Sequence, residues 1–483
     1  MTFTAPEKAK TSTLSPTTLR ALGALVLIPS LTAAATAPLA QPEWITTAKT
    51  TGSAYASSLA TNSLGSLYWV GGGPRQVTIG GMTLPVPANG NQFYNGWIVK
   101  LDRNGKVLLS KLLTSPTNHC GIYAVQIAPD GTVLITGSFN GNATLGETRL
   151  IGNSSWSSLF VARLDANLNV IWTTTVLGSD QVNVEGDGFA SNGVRIAVSG
   201  YWSGTARFGD QSLTSQGSPY NAFVAVFDMQ GRMQWVRTAV GPQRAYGMSA
   251  RFDALGNVVT GGYFQGVKTL SSATPSSAAV LTSRGGYDGF VAKYSGDTGT
   301  LTALTQIGGP GDEQVMAAVP SGEDTFVAGN NTAAFNAASY RIAAGGPSQC
   351  FVLRLNSAYQ VMAATSYGGD DYDQVRTLVI DPDGRPTTCG IFSGTAQFGS
   401  TSAQSAGNYD AYVVRFNRDL TVSGVTTWGG ANVDSSGRIV VDDHYRTYVT
   451  GHFIASTTLG QTTITSLGDP GNYNAYVAVL KEY

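Results

Sequence analysis

Apolar residues along this chain fall in short runs of strand length, and one run returns throughout. It reads GWIVKLD from Gly96, LFVARLD from Leu159, AFVAVFD from Ala222, GFVAKYS from Gly289, CFVLRLN from Cys350, AYVVRFN from Ala411 and AYVAVLK from Ala475. Runs this short, bounded by turn residues, predict strands rather than helices. Their aromatics are Trp97, Phe160, Phe223, Phe290, Phe351, Tyr412 and Tyr476, separated by 63, 63, 67, 61, 61 and 64 residues. A second run closes on a glycine in every copy, at Gly71, Gly137, Gly200, Gly261, Gly329, Gly390 and Gly451, as in VLITGSF and TYVTGHF. Around these two lie a weakly patterned strand such as YAVQIAP and a later one such as NVIWTTTV or RMQWVRTA. Pairs such as Asn104-Gly105, Asp130-Gly131 and Asp383-Gly384 close the connections, because they tolerate the positive φ of tight hairpin turns. Four strands in each of seven repeats predict an all-β chain, a seven-bladed β-propeller; solenoid repeats are much shorter.

The repeats fix the domain limits. Before them, Lys8, Lys10 and Arg20 precede the apolar run Ala21–Leu31 and then the small residues Thr32–Ala37. That order is a secretory signal. Residues 1–40 are therefore expected to be signal peptide and leader, cleaved between about 35 and 40, and residues 41–483 a single propeller domain. The apolar run is too short for a spanning helix and contains Pro29. The last repeat ends with its third strand, while PEWITTAKT (Pro42 to Thr50) is a fourth-type strand without a repeat, its Trp44 in the place of Trp172 and Trp235. The two ends are thus expected to complete one 3+1 blade, which would remove an exposed sheet edge.

Composition agrees. Charged residues make up 12% of the chain and the 59 glycines outnumber the 29 Lys and Arg, which disfavours exposed helix. A formal charge of −1 disfavours nucleic acid and acidic membranes as partners. The odd count of three cysteines raises the possibility of a disulfide in an exported chain. Cys389, however, takes a slot held elsewhere by Thr136, Ser199 and Thr450, and Cys350 one held by Gly96, Ala222 and Ala411. Structural thiols are expected.

The stretches GYWSGTARFG (Gly200 to Gly209), GIFSGTAQFG (Gly390 to Gly399) and YDGFVAK (Tyr287 to Lys293), with Trp172, Trp235 and the Gly-Gly pairs at Gly308, Gly368 and Gly429, resemble the bacterial seven-bladed β-propeller repeat (SBBP-type) family. The resemblance covers the whole mature chain. It departs most in the fifth unit, where GNNTAAFNAASY replaces the Gly-Thr-Ala-x-Phe-Gly stretch. It implies an exported repeat protein and supplies no catalytic residues.

In a repeat protein, features found in one unit only are freer to serve function than recurring ones. Asp370, Asp371 and Asp373 cluster in one loop; the corresponding loop of the preceding repeat has Asp312 and Glu313, and that of a later one Asp434. The sharp reading is a Ca²⁺ site or a glycosidase acid pair; recurrence favours loop acids that accept backbone hydrogen bonds. The three histidines, His119, His444 and His452, lack metal-ligand spacing. No nucleophile elbow or Walker loop is present. Tyr94, Tyr220, Tyr287, Tyr409 and Tyr473 each introduce a third strand, a recurrence that points to packing between blades. Trp156 and Trp202 are irregular, suited to sugar stacking if exposed and to core if buried. Loops of the second-to-third and inter-repeat connections share one face, and the long ones, Phe264–Gly286 and Gly368–Asp373, both lie there. The expectation is an exported, monomeric, cofactor-free module that binds an extracellular glycan or protein on that face through Arg284, Asp370 and Asp371. The alternative is a carbohydrate-active enzyme using the acids of the same face.

Overall fold

The computed structural model describes residues 35–36, 41–62, 65–84, 94–116, 118–153, 157–217, 220–466 and 468–480. Most of the expected leader, and Trp156, lie outside the described residues. Among those described there is no α-helix, and so none long and apolar enough to cross a membrane. The fold is all-β and propeller-like.

Seven antiparallel meanders follow one another. Sheet 2 is typical, running Cys120–Ile127, Val133–Asn140, Ser157–Leu164 and Val170–Gly178. The first strands of the others are Tyr55–Thr61, Val182–Ser191, Ala245–Phe252, Glu313–Ser321, Gln374–Ile380 and Asp434–Val441. Sheet 7 takes its fourth strand from the opposite end of the chain. Pro42–Thr50 pairs antiparallel with Tyr473–Leu480, Trp44 opposite Val479 and Ala48 opposite Ala475. The repeat equivalence of Trp44 shows in its hydrogen bonding. Its Nε1 donates to the Arg103 carbonyl at 2.8 Å, as Trp172 does to Met229 (3.1 Å) and Trp235 to Gly296 (2.9 Å). Each tryptophan thus clamps its fourth strand to the third-to-fourth turn of the next sheet.

Alternation along each strand sends neighbouring side chains to opposite faces, so every sheet contributes to two cores. In sheet 2, Phe160 and Ala162 pack toward sheet 1 while Leu159 and Val161 pack toward sheet 3. Among the described residues there are seven such cores, one between each successive pair of sheets, and the last joins Val477 and Val479 of sheet 7 to Leu59, Trp69 and Trp97 of sheet 1. First strands of successive sheets touch, and that of sheet 7 touches that of sheet 1.

Three expectations change. Four strands per repeat is incomplete: the Gly-Thr-Ala-x-Phe-Gly stretch folds into a small hairpin, such as Thr205–Phe208 with Gln211–Thr214. This hairpin pairs with the fourth strand of the preceding sheet, Ala206 opposite Gly178, and buries Ala206 and Phe208 while it covers that edge. The fifth unit builds one without the motif, Phe335–Ala337 with Tyr340–Ile342, because Phe335 still fills the buried position. Second, much of Phe264–Gly286 is such a hairpin made longer rather than a loop, with Val267 opposite Thr282, Leu270 opposite Ala279 and a 3-10 turn at Pro275–Ser277. Third, the glycine that faces the aromatic in sheet 4 is Gly262, opposite Phe290, and not Gly261. At this position a Cβ would strike the carbonyl of the adjoining first strand, that of Tyr246 for Gly262 and that of Gln374 for Gly390. The Gly-Gly pair leaves the choice open in sequence.

Candidate functional site

Opposite that glycine six of the seven first strands skip one ladder position. The register jumps between Ala56 and Ser58, Ile122 and Ala124, Gly247 and Ser249, Val315 and Ala317, Val375 and Thr377, and Ser436 and Arg438. A bulge turns its extra residue out of the ladder. Here those residues, Ser57, Tyr123, Met248, Met316, Arg376 and Gly437, all line one cavity of about 420 Å³. Sheet 3 departs, because Glu185–Gly188 stand opposite Ser199 alone, which brings Glu185 and Asp187 into the same cavity. Every one of the seven first strands contributes to its wall.

Charge is concentrated there. Asp187 is buried between two arginines, with Arg251 Nη2 at 2.7 Å from Oδ1 and Arg438 Nη1 at 3.0 Å from Oδ2, and Thr377 Oγ1 donates to it at 2.6 Å. Burial alone would raise this carboxyl, but Arg438, Arg251 and the Thr377 hydroxyl together hold it below its ordinary value. Glu185 has no such cradle. Among the described residues nothing hydrogen-bonds or ion-pairs with its carboxyl, which burial pushes up against the pull of Arg438 and Arg376. The Arg376 guanidinium likewise makes no hydrogen bond or ion pair among the described residues, although its side chain is accessible from the cavity. Burial and the nearby Arg376 push His452 down to about 4, so at neutral pH its ring is uncharged. Burial, reinforced by Glu185, raises the Tyr201 and Tyr263 phenols, which remain neutral donors.

Half-buried tyrosines surround these groups. Tyr201, Tyr220, Tyr246, Tyr263 and Tyr287 form one patch with centroids 5.0 to 6.4 Å apart. Arg244 lies over the Tyr220 ring at 5.9 Å. A second patch places Tyr55 against Tyr94 (6.0 Å), Tyr473 (5.3 Å) and His452 (5.6 Å). Of the recurring tyrosines, Tyr94, Tyr220 and Tyr473 stack against rings of the next repeat, whereas Tyr287 stacks within its own sheet and Tyr409 on Tyr372 of the loop that enters its own sheet; all five keep part of the ring in solvent. Trp202, by contrast, is fully buried core.

The residues singled out in sequence are dispersed. Arg284 is exposed and donates to the Gly308 carbonyl at 3.0 Å; Asp371 accepts from Ser393 Oγ and the Tyr372 amide, both at 2.9 Å; Asp370 is exposed. No hydrogen bond or ion pair joins Arg284 to either acid among the described residues. The recurring acids behave as loop fasteners: Glu313 accepts from the Gly309 amide at 2.5 Å, Asp373 from Gly369 at 2.6 Å and Asp434 from Gly430 at 2.7 Å. Burial pushes all three carboxyls up to about 7, and the second oxygen of each is buried without a partner. Among the described residues, only Asp442, Asp443 and His444 could meet on one cation, and Asp442 already holds its own turn through the His444 and Arg446 amides. Cys120, Cys350 and Cys389 are buried and unpaired; burial pushes the Cys120 and Cys389 thiols up to about 12. Sequence reasoning missed Glu185, Asp187, Arg251, Arg376 and Arg438. Aligning the weakly patterned first strands would have exposed Arg376 and Arg438, charges in slots that other repeats fill with residues such as Ser57, Met248 and Met316 or Ser58, Ala124 and Ser249.

No protein-family model matches the chain, and no curated protein matches its sequence. Among solved structures it is similar to a protein of unknown function from Dyadobacter fermentans, at 10% identity and TM-score 0.43, over 92% of this chain and 100% of that one. The dihydro-heme d1 dehydrogenase NirN matches at 10% identity and TM-score 0.36, over 80% and 72%. The hemagglutinin-neuraminidase ectodomain of parainfluenza virus 5 matches at 9% identity and TM-score 0.35, over 92% and 84%.

Proposed function

We propose that this chain is an exported binding module, a closed seven-bladed β-propeller that receives part of an extracellular glycan or protein ligand in its axial cavity. The observation that carries the reading is the cavity itself. Seven strands converge on it, and two charged side chains, Glu185 and Arg376, are held there without partners. Glu185 is half-buried with its carboxyl unpaired among the described residues, a cost that a ligand hydroxyl would relieve, while Arg376 keeps its guanidinium open to an anion. Half-exposed tyrosine rings suit stacking on sugars or on planar peptide groups. The cyclic order of interface cores and the strand borrowed from residues 42–50 support the closed ring. Arg284, Asp370 and Asp371 lie on the connections of the same face and serve in this reading as outer contacts. A glycan and surface-protein binding screen of residues 41–483 tests it. Binding lost in Arg376→Ala and weakened by Asp370→Ala with Asp371→Ala is expected. Binding lost through changes in the 102–105 and 381–384 turns instead would place the site on the opposite face.

One observation favours an enzyme as second reading. Two carboxyls share the cavity, and their surroundings drive them in opposite directions, Glu185 up and Asp187 down, as in acid–base pairs that cleave glycosidic bonds. Hydrolysis of a panel of aryl glycosides, abolished by Glu185→Gln with binding retained, would establish it.

A further inference from the structure

The charges of the cavity specify more than a polar ligand. Arg376 and Arg438 line the cavity with the carboxyls of Asp187 and Glu185, Arg251 reaches Asp187 from outside the lining, and His452 adds no charge at neutral pH. Asp187 is shared by Arg251 and Arg438, so both its oxygens are spent. Arg376 is left over. Glu185 does not close on it into an ion pair, although each lies within reach of the other's field. The cavity therefore carries a surplus positive charge at the wall formed by sheets 6 and 7. The wall beside it is apolar, with Met316 from sheet 5 and Met248 from sheet 4, and the sheet 1 and sheet 2 side offers the Ser57 and Tyr123 hydroxyls. A volume of about 420 Å³ sits at the small-molecule end of ligand sites.

Resting on the binding reading above, we propose that the cavity is a carboxylate site, which takes a single carboxylate-bearing unit of monosaccharide size with its carboxylate on Arg376. The planar guanidinium offers a two-pronged donor matched to a carboxylate. Glu185, on the other side, can accept from a ligand hydroxyl when ionised or donate to the carboxylate when protonated. The unit could be the acidic terminus of a glycan or a free organic acid, since both present the same group.

Isothermal titration of residues 41–483 with glucuronate and galacturonate, with glucose and galactose as neutral matches, with uronate-terminated oligosaccharides, and with citrate, succinate and inorganic phosphate distinguishes these cases. Expected are binding of at least one carboxylate over its neutral match, a loss of about 10- to 100-fold in Arg376→Gln, and partial recovery in Arg376→Lys. Tighter binding of the oligosaccharide than of the free uronate marks a glycan terminus; the reverse, or preference for citrate or succinate, marks a free acid. The Arg376 side chain makes no hydrogen bond or ion pair among the described residues, and unchanged thermal unfolding of both variants separates loss of binding from loss of fold. Equal affinity for neutral and acidic sugars, tightest binding of phosphate, or affinity indifferent to Arg376→Gln overturns the carboxylate assignment while leaving the cavity as the binding site. No binding by any probe, together with ligands from the wider screen that ignore Glu185 and Arg376, overturns the binding reading as well.

Discussion

Replacing Asp187 by Asn should destabilise the protein by about 3–5 kcal/mol, the range for breaking a buried ion pair by removing one partner. Asp187 comes from sheet 3 and its partners from three others: Arg251 from sheet 4, Thr377 from sheet 6 and Arg438 from sheet 7. Side-chain exposures of 6% for Asp187, 20% for Arg251 and 14% for Arg438 leave little solvent to screen the charges. At an effective dielectric of 20, a pair of unit charges about 4 Å apart is worth roughly 4 kcal/mol. Two such attractions offset the cost of desolvating three ions, and Asn removes both while leaving two guanidiniums to repel each other. Thr377 can still donate to the amide oxygen, so the loss is chiefly electrostatic. Urea unfolding at pH 7 measures it, and the double-mutant cycle with Arg438→Met isolates one arm, since removing the second arginine should recover part of the loss. The pH dependence has a fixed sign. A carboxyl held below its ordinary value stabilises above the normal carboxylate range, and that stability is lost as pH falls through the lowered value. The Asp187→Asn deficit should therefore be full at pH 7 and shrink as the pH falls below the ordinary carboxylate range. A deficit under about 0.5 kcal/mol at pH 7, the size of an ordinary surface change, would refute the argument.

Deleting residues 41–52 should cost about 4 kcal/mol or more and promote aggregation, because Trp44 is lost and the Tyr473–Leu480 edge is opened; unchanged thermal unfolding would contradict the closure by this strand. The fastening acids predict an opposite pH trend. Glu313, Asp373 and Asp434 are raised to about 7 and Asp410 to about 6, chiefly by burial, so they hold protons more tightly folded than unfolded. Their contribution is most favourable below about pH 4 and declines as pH rises to about 7; Asp434→Asn should flatten part of that decline in melting temperature between pH 5 and 8. Exchanging Met316 for Leu, which changes only a bulge side chain in the cavity wall, should move stability by less than about 1.5 kcal/mol while changing ligand affinity.

The scaffold was legible because its signals repeat. The aromatic at Trp97 and its six counterparts recurs since each is buried between two sheets, and the place of Trp44 could be read from Trp172 and Trp235 because all three make the same clamp. The outer hairpins were not legible as strands. Four-residue segments such as Thr205–Phe208 carry two inward positions, Ala206 and Phe208, too few to show a period. The cavity charges were missed for a related reason. A bulge residue belongs to neither face of its strand, so Arg376 interrupts the alternation of QVRTLVI and reads as noise in a weak strand. Attention went to Asp370 and Asp371 because they stand together in sequence, whereas Asp187, Arg251, Thr377 and Arg438 meet only through the arrangement of four sheets.

The bulge also explains how such a repeat can acquire a specific site without losing its fold. Ladder residues are constrained by pairing, and their side chains by the two interface cores, but the skipped residue is bound by neither. It can be Ser in sheet 1, Tyr in sheet 2, Met in sheets 4 and 5 and Arg in sheet 6 on nearly the same backbone. Sheet 3 goes further by lengthening its bulge, which is how an acid pairs with Arg251 of the neighbouring sheet and reaches Arg438 across the cavity. Six equivalent positions filled with five kinds of residue, together with the longer bulge of sheet 3, give a wall with a cationic side, an apolar side and a hydroxyl side. A wall so divided favours one orientation of a bound molecule, which a symmetric ring of identical residues could not do.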